Sequence, residues 1–446
     1  MILDLAKTLI KDSLEDVKVA NHLERQRHIQ KYLDYYEGEN IDKYIIERFQ
    51  PDAFQEVPPL SLNFTHRFIN KMARVYRTGA KRNVSDQYSE MTKFKNIKLK
   101  HIERMAKLIG SVAVHITYDP MKNMFDYNPI YYYHPFMESE IKDPFAISYP
   151  IQPPTDDATY LQEMDYIYYD DENFIEYNSD GNIMDQGQHD LGILPFTFIH
   201  REHQIDSHFV AGAMDIIRAN ENVNILFTEL CLGSRFQAFA QPFVTGVFSD
   251  TNLKRMGTDE MLVLPDGATF DYASPRPDMR SMIEVIKTII ETAAANNHLH
   301  VDFNRSGGEV PSALSLIVRD LERKEDYYDY VDLWTMYEQQ IYEIEKRIAA
   351  ANGINLPENL NIDFEEPSYP KTTQDEIMMN TFMLDNNLIS YSELLRSYNK
   401  DLTPEQAKNL INSYIQENQE FKGQLNEQGQ GQSIIQRLRQ RATGTE

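Results

Sequence analysis

Cysteine is almost absent from this chain: Cys231 stands alone among 446 residues. One thiol cannot close an intrachain disulfide, which fits a reducing compartment. Basic charge is also scarce. Forty-four Lys and Arg face 69 Asp and Glu, a formal net charge of −25. Proteins that grip nucleic acid over a broad surface do so by neutralising phosphates, and this balance argues against that mode. It leaves room for a protein that lets nucleic acid slide past. No apolar run approaches the roughly 18 residues that a membrane span needs. The opening Met1-Ile2-Leu3-Asp4-Leu5-Ala6 has an early acid and no positive stretch before an apolar one, unlike a signal peptide. A soluble cytoplasmic protein is the expectation.

Catalytic and nucleotide-binding signatures are missing too. There is no G-x-x-x-x-G-K-[ST] and no G-x-G-x-x-G to cradle phosphates. There is no H-E-x-x-H and no G-x-S-x-G.

What is present points to packed structure. Hydrophobic residues make up 41% of the chain, enough for a sizeable core, and length alone suggests about three domain-sized units. Twenty-seven Tyr and 22 Phe accompany a single Trp. Such side chains suit large surfaces buried against partners.

Apolar spacing near 3.6 predicts helix over most of residues 1–50. A second helix is expected from Asn63 to Lys81, with Gly79 as its C-cap and Arg67, Lys71, Arg74, Arg77, Lys81 and Arg82 as a basic stripe. From about Gly110 the period changes to that of strands. Ser111–Tyr118, Tyr131–Tyr133 and Leu191–Ile199 are strand candidates, and Asn178-Ser179-Asp180-Gly181 reads as a hairpin turn. Helical spacing returns from Gly212 to about Ala238. A short turn-rich unit follows, with strands expected at Phe243–Phe248 and Glu260–Leu264. Helices are then expected from Pro277 to about Asn296 and from Ser312 to about Ala351, the latter stopped by Asn352-Gly353. Ser390-x-x-Glu393 and Thr403-x-x-Gln406 look like capping boxes, and the Gln- and Gly-rich end beyond about residue 426 favours disorder. The fold class is α+β, mainly α.

Candidate chemistry is thin. The close pairs His200/His203 and His298/His300 could hold a metal in principle, but no further ligands stand at a matching spacing. Cys231 sits on an apparent apolar helix face and reads as a small core residue. No metal, cofactor or catalytic residue is assigned. Pattern alone points to a structural or assembly protein.

At residues 212–351 the element order resembles the portal proteins of tailed bacteriophages: helix, small turn-rich unit, helix, Gly-containing loop, very long helix. Ser306-Gly307-Gly308 through Pro311-Ser312-Ala313-Leu314 is similar to the signature before the long portal helix. Leu191-Gly192-Ile193-Leu194-Pro195-Phe196 resembles the strand before the first stem helix, and Tyr177–Gly181 the wing hairpin. The stretch from Pro370 to Asn399, with Leu388–Leu395 within it, resembles a late helix pair, with Asn387 where glycine is common.

That resemblance implies a division of the chain. Residues 1–210 would be wing, with the β-rich part at about 110–200. The stem helices would span 211–238 and 277–298, with the clip at 239–276 between them. A tunnel loop would follow at 299–311, then the spine helix and its return to the wing at 312–369. The crown would span 370–425, and a disordered tail 426–446. It implies a homo-oligomeric ring of twelve copies at one vertex of the virion capsid, assembled in the host cytoplasm, with no membrane partner. Double-stranded DNA would pass through during packaging and ejection, without sequence specificity. Terminase, head–tail adaptors, the major capsid protein and scaffolding protein would be the partners.

The implied tunnel-loop residues are Asp302, Phe303, Asn304, Arg305, Ser306, Gly307, Gly308 and Glu309, with Lys287 as a candidate channel cation. Lys254, Arg255, Asp259, Glu260 and Asp266 would face docking partners in the clip. Acidic walls would keep a duplex from sticking. Two alternatives stand beside this one: another helical virion assembly protein, such as an adaptor or scaffold, and a metal-dependent enzyme using His200 and His203.

Overall fold

The computed structural model describes residues 20–49, 58–139, 143–152, 164–203, 206–238, 241–245, 269–273, 279–301, 303, 313–364, 373–385, 389–399 and 402–427. Helix and strand are mixed, with helix the larger share. The chain divides into two compact units, Met1–Glu365 and Glu366–Glu446.

In the first unit, helices α1 (Ala20–Glu37), α2 (Ile41–Ile46) and α3 (Thr65–Met72) precede strand β1 (Ala80–Arg82). Helices α4 (Asp86–Met91) and α5 (Lys95–Ile109) follow, and then strands β2 (Ser111–Asp119) and β3 (Met124–Ile130). Strands β4 (His134–Phe136), β5 (Ala146–Pro150), β6 (Tyr166–Tyr169), β7 (Asn173–Tyr177) and β8 (Ile183–Gln188) form an antiparallel five-stranded sheet in chain order. Strand β9 (Phe196–His200) instead joins β2, giving a three-stranded sheet in the order β3-β2-β9.

The β7–β8 turn lies where Asn178–Gly181 predicts it. Gly181 takes φ +79°, its amide donates to the Asn178 carbonyl at 2.9 Å, and the Asn178 side chain accepts from Asp180 and Asn182. Such a backbone suits glycine, which carries no Cβ to clash.

Helix α6 (Met214–Ala238) leads to a ribbon of β10 (Gln241–Thr245) and β11 (Thr269–Ala273), and α7 (Met279–Ala295) returns. The 39-residue α8 (Ala313–Ala351) follows, and β12 (Ile362–Phe364) pairs with β1. Past the end of α8, Gly353 has φ +76°, Ile354 N donates to Ala349 O and Gly353 N to Ala350 O. This doubled wrap of the last carbonyls is a Schellman motif, and it ends α8 where Asn352-Gly353 predicts a stop. One core cluster draws on α1, α3, α5, β2 and α8, with Ile69, Leu99, Ile102, Val112 and Ile341 at or near zero exposure.

Several sequence expectations need correction. The helix expected over Asn63–Lys81 ends at Met72, and Gly79 caps nothing. The reason is a distant carboxylate. Glu103 of α5 accepts the amides of Arg74 (2.7 Å), Val75 (2.9 Å) and Tyr76 (3.1 Å), which a continuing helix would have turned inward. The basic stripe does not share one exposed face: Arg74 is buried and Arg82 points into the core. Residues 131–133 lie between strands, and of Leu191–Ile199 only Phe196 onward is strand. Gly192 turns with φ +63°, and Pro195 has no amide to give a ladder. Cys231 is exposed, because the buried side of α6 runs instead through Ile216, Ile217, Asn220, Val223, Asn224 and Thr228. The strand over Glu260–Leu264 lies outside the described residues; the partner of β10 is 269–273.

The polar members of that buried side have a purpose. Thr228 Oγ1, Asn224 Oδ1 and Asn220 Oδ1 accept the amides of Leu60, Leu62 and Phe64 at 3.2, 2.9 and 2.9 Å. Asn220 also donates to Leu62 O at 2.8 Å. Spaced four residues apart, these side chains share one helix face and serve an extended segment that has no strand partner.

In the second unit, α9 (Thr373–Asp385), α10 (Tyr391–Tyr398) and α11 (Pro404–Glu427) follow one another. Both capping boxes form: Ser390 and Glu393 exchange bonds, as do Thr403 and Gln406.

Candidate functional site

The helix pair α6/α7 and its ribbon are the most distinctive arrangement in the first unit. Near their base, Asn297, just after α7, donates to Asp215 at the start of α6 (2.8 Å). Arg201 reaches Asn297 Oδ1 and Gly212 O, tying this base to the end of β9. The start of one helix therefore meets the end of the other, so the two run antiparallel. At the ribbon, Thr245 and Thr269 hydroxyls pair at 2.6 Å.

The apolar stripe of α7 is only partly covered. Ile286, Ala293 and Ala294 are buried, whereas Ile283 and Val285 are 40% and 50% exposed. The second unit is barer still. Among those of its residues whose exposure is described, only Ala407 is buried, while Ile377, Phe382, Tyr391 and Tyr398 stand open.

The base of α8 is anchored by charge inside the core. Lys95 Nζ lies 3.1 Å from Glu338 and 2.9 Å from Glu345, and all three side chains are fully buried. Arg82 also pairs with Glu338, so two cations meet two anions. Tyr76 OH donates to Glu338 and Tyr88 OH to Glu345, each at 2.6 Å, and Tyr127 donates to Glu345 as well. Burial raises the Glu338 carboxyl, but Lys95 and Arg82 outweigh it and hold it at about 2. No short motif announces this network, whose members come from distant parts of the chain. A signal exists: Glu338 and Glu345 recur at i and i+7 among Trp334, Ile341 and Ile348, on an otherwise apolar helix face.

Of the implied tunnel-loop residues only Phe303 is described, and it is exposed; Asp302 and Asn304–Glu309 lie outside the described residues. Lys287 is one-third exposed and pairs with Glu284 on its own helix at 3.0 Å, so its charge is already shared. Lys254, Arg255, Asp259, Glu260 and Asp266 also lie outside the described residues.

His200 and His203 both line a cleft between β9 and α8, with no third ligating side chain grouped beside them among the described residues. His200 is buried, with Nδ1 at 2.9 Å from Ser111 Oγ, and burial lowers its pKa to about 4. His208, held by Tyr133 OH at 3.0 Å, falls to about 3 through burial, with help from His200 and Arg25. Among the described residues no three His, Cys, Asp or Glu side chains are grouped to hold a metal. No helix among them is long and apolar enough to cross a membrane.

No protein-family model matches the chain, and no curated protein matches it. Its functional reading therefore rests on its own residues and on the resemblance in element order.

Proposed function

We propose that the chain is the subunit of a portal-type ring, a non-enzymatic conduit for double-stranded DNA at a capsid vertex. The observation that carries this reading is the antiparallel pair α6/α7, bridged by a β-ribbon and followed by a 39-residue helix. In this reading α6 and α7 are the stem, the ribbon belongs to the clip, α8 is the spine and the second unit is the crown. Open apolar side chains on α7 and in the second unit supply surface for head-to-tail contacts between neighbouring copies, which close a ring when the rotation closes. The net charge of −25 lets a duplex pass without adhering. Terminase and head–tail adaptors would dock at the clip.

Negative-stain imaging of the purified chain tests the proposal. Rings with a channel of duplex width are expected. A stable lone protomer would end it, and stoichiometric bound metal lost on His200→Ala would favour an enzyme instead.

A further inference from the structure

A cleft of about 550 Å³ opens between strand β9 and helix α8. Leu333, Met336, Tyr337, Gln340 and Ile344 form its helix wall, and Phe196 and Phe198 stand opposite. Backbone parity shows what the strand presents there. Ile116 N donates to Pro195 O, and Arg201 N to Gly110 O. With the β2–β9 register, these bonds turn the carbonyl of Pro195 and the amides and carbonyls of Thr197 and Ile199 toward β2. Those of Phe196, Phe198 and His200 face the other way, on the open edge of the sheet. His200 N–H confirms the direction, since it donates to Tyr337 OH of α8 at 3.0 Å. Phe196 and Phe198 have no such partner among the described residues. At the rim stand Asp143 and Glu343, the latter already joined to Lys346 at 3.0 Å.

An open strand edge facing a helix across an apolar trough is the geometry in which an extended peptide adds as one more strand. We infer that the β9–α8 cleft receives an extended segment of a partner protein, one alternating apolar with basic residues. Its backbone pairs with Phe196 and Phe198, its apolar side chains enter between Phe198 and the α8 wall, and its cations meet Asp143 and the rim. With Glu343 shared with Lys346, Asp143 is the carboxylate left to meet a cation, and repulsion between two chains of net charge −25 favours a basic partner segment over a second copy. The Tyr337–His200 bond closes one end of the edge, so the added strand is short. The inference does not depend on ring formation.

Fluorescence anisotropy with the full chain tests it. The probe is a labelled heptapeptide alternating lysine and valine; a glutamate–valine counterpart and a version N-methylated at alternate residues serve as controls. The lysine peptide is expected to bind at least about tenfold tighter than either control, a difference of about 1.4 kcal/mol. Phe198→Pro removes the outward amide together with a phenyl ring packed on Tyr133 and His208, whereas Asp143→Lys only reverses a charge lining the cleft; each should weaken binding several-fold, and Asp143→Lys should do so with the circular dichroism spectrum unchanged. Equal binding of the N-methylated peptide, or none by the lysine peptide, would overturn strand addition. Self-association of the chain that the peptide dissolves would put a second copy in the cleft and overturn the basic-partner assignment.

Discussion

Lys95 is wholly out of solvent, yet its ammonium sits 2.9 Å from the Glu345 carboxylate of the long helix α8. The two residues are 250 positions apart. Burying charge is costly unless partners are in place, and here Glu338, Arg82 and three tyrosines complete the set.

Removing one member should therefore cost far more than removing a surface charge. Lys95→Met leaves two buried carboxylates with one cation and should cost about 3–5 kcal/mol. Urea unfolding of the variant measures this, and a loss under about 1 kcal/mol would contradict the network.

Glu103 sets where α3 stops. Glu103→Leu strands three amides at Arg74, Val75 and Tyr76, and should cost about 3 kcal/mol or more at about 1–3 kcal/mol for each unmade buried bond. Hydrogen exchange should rise first at those three amides. If they stay protected, the carboxylate is not what holds them.

Trp334 is 2% exposed and packs edge-on to Tyr76 at 5.0 Å. Truncation to Ala should cost about 3–5 kcal/mol, read as a lower melting temperature. An unchanged melting temperature would show that the site relaxes freely.

Acid should weaken the first unit through its histidines. Burial holds His115 and His200 at about 4, and His208 at about 3, against an ordinary value of 6.5. The unfolded chain then binds more protons below pH 6.5, so stability falls as pH drops through that value and levels off only below the folded values. Each of His115 and His200 accounts for about 3 kcal/mol by pH 4. Urea midpoints at pH 7, 5.5 and 4 measure the slope, which should flatten in a His200→Gln variant.

The tunnel-loop assignment makes its own prediction. Deleting Asp302–Gly308 should leave rings intact and impair DNA packaging or retention. Normal packaging, or failure to assemble, would count against that role.

Elements whose cause is local were legible in the sequence. The Asn178–Gly181 turn, the Ser390 and Thr403 boxes and the helix stop at Gly353 each depend on a few adjacent residues. What escaped depends on residues far away in the chain. Nothing between Asn63 and Lys81 announces that Glu103 will take three amides. Nothing near Cys231 reveals that asparagines would occupy the inner side of α6. The buried ion cluster left only the i, i+7 recurrence of two glutamates, and such a pattern ordinarily marks a solvated face.

The rungs that Asn220, Asn224 and Thr228 extend to the segment at 60–64 have a mechanical consequence. They leave α6 within an arc of about 80°, so any roll of that helix about its axis strains all of them together. A cylinder held by a row of such latches resists twisting more than gentle bending along the latched stretch from Asn220 to Thr228, and torque reaching that stretch would be handed to the segment at 60–64.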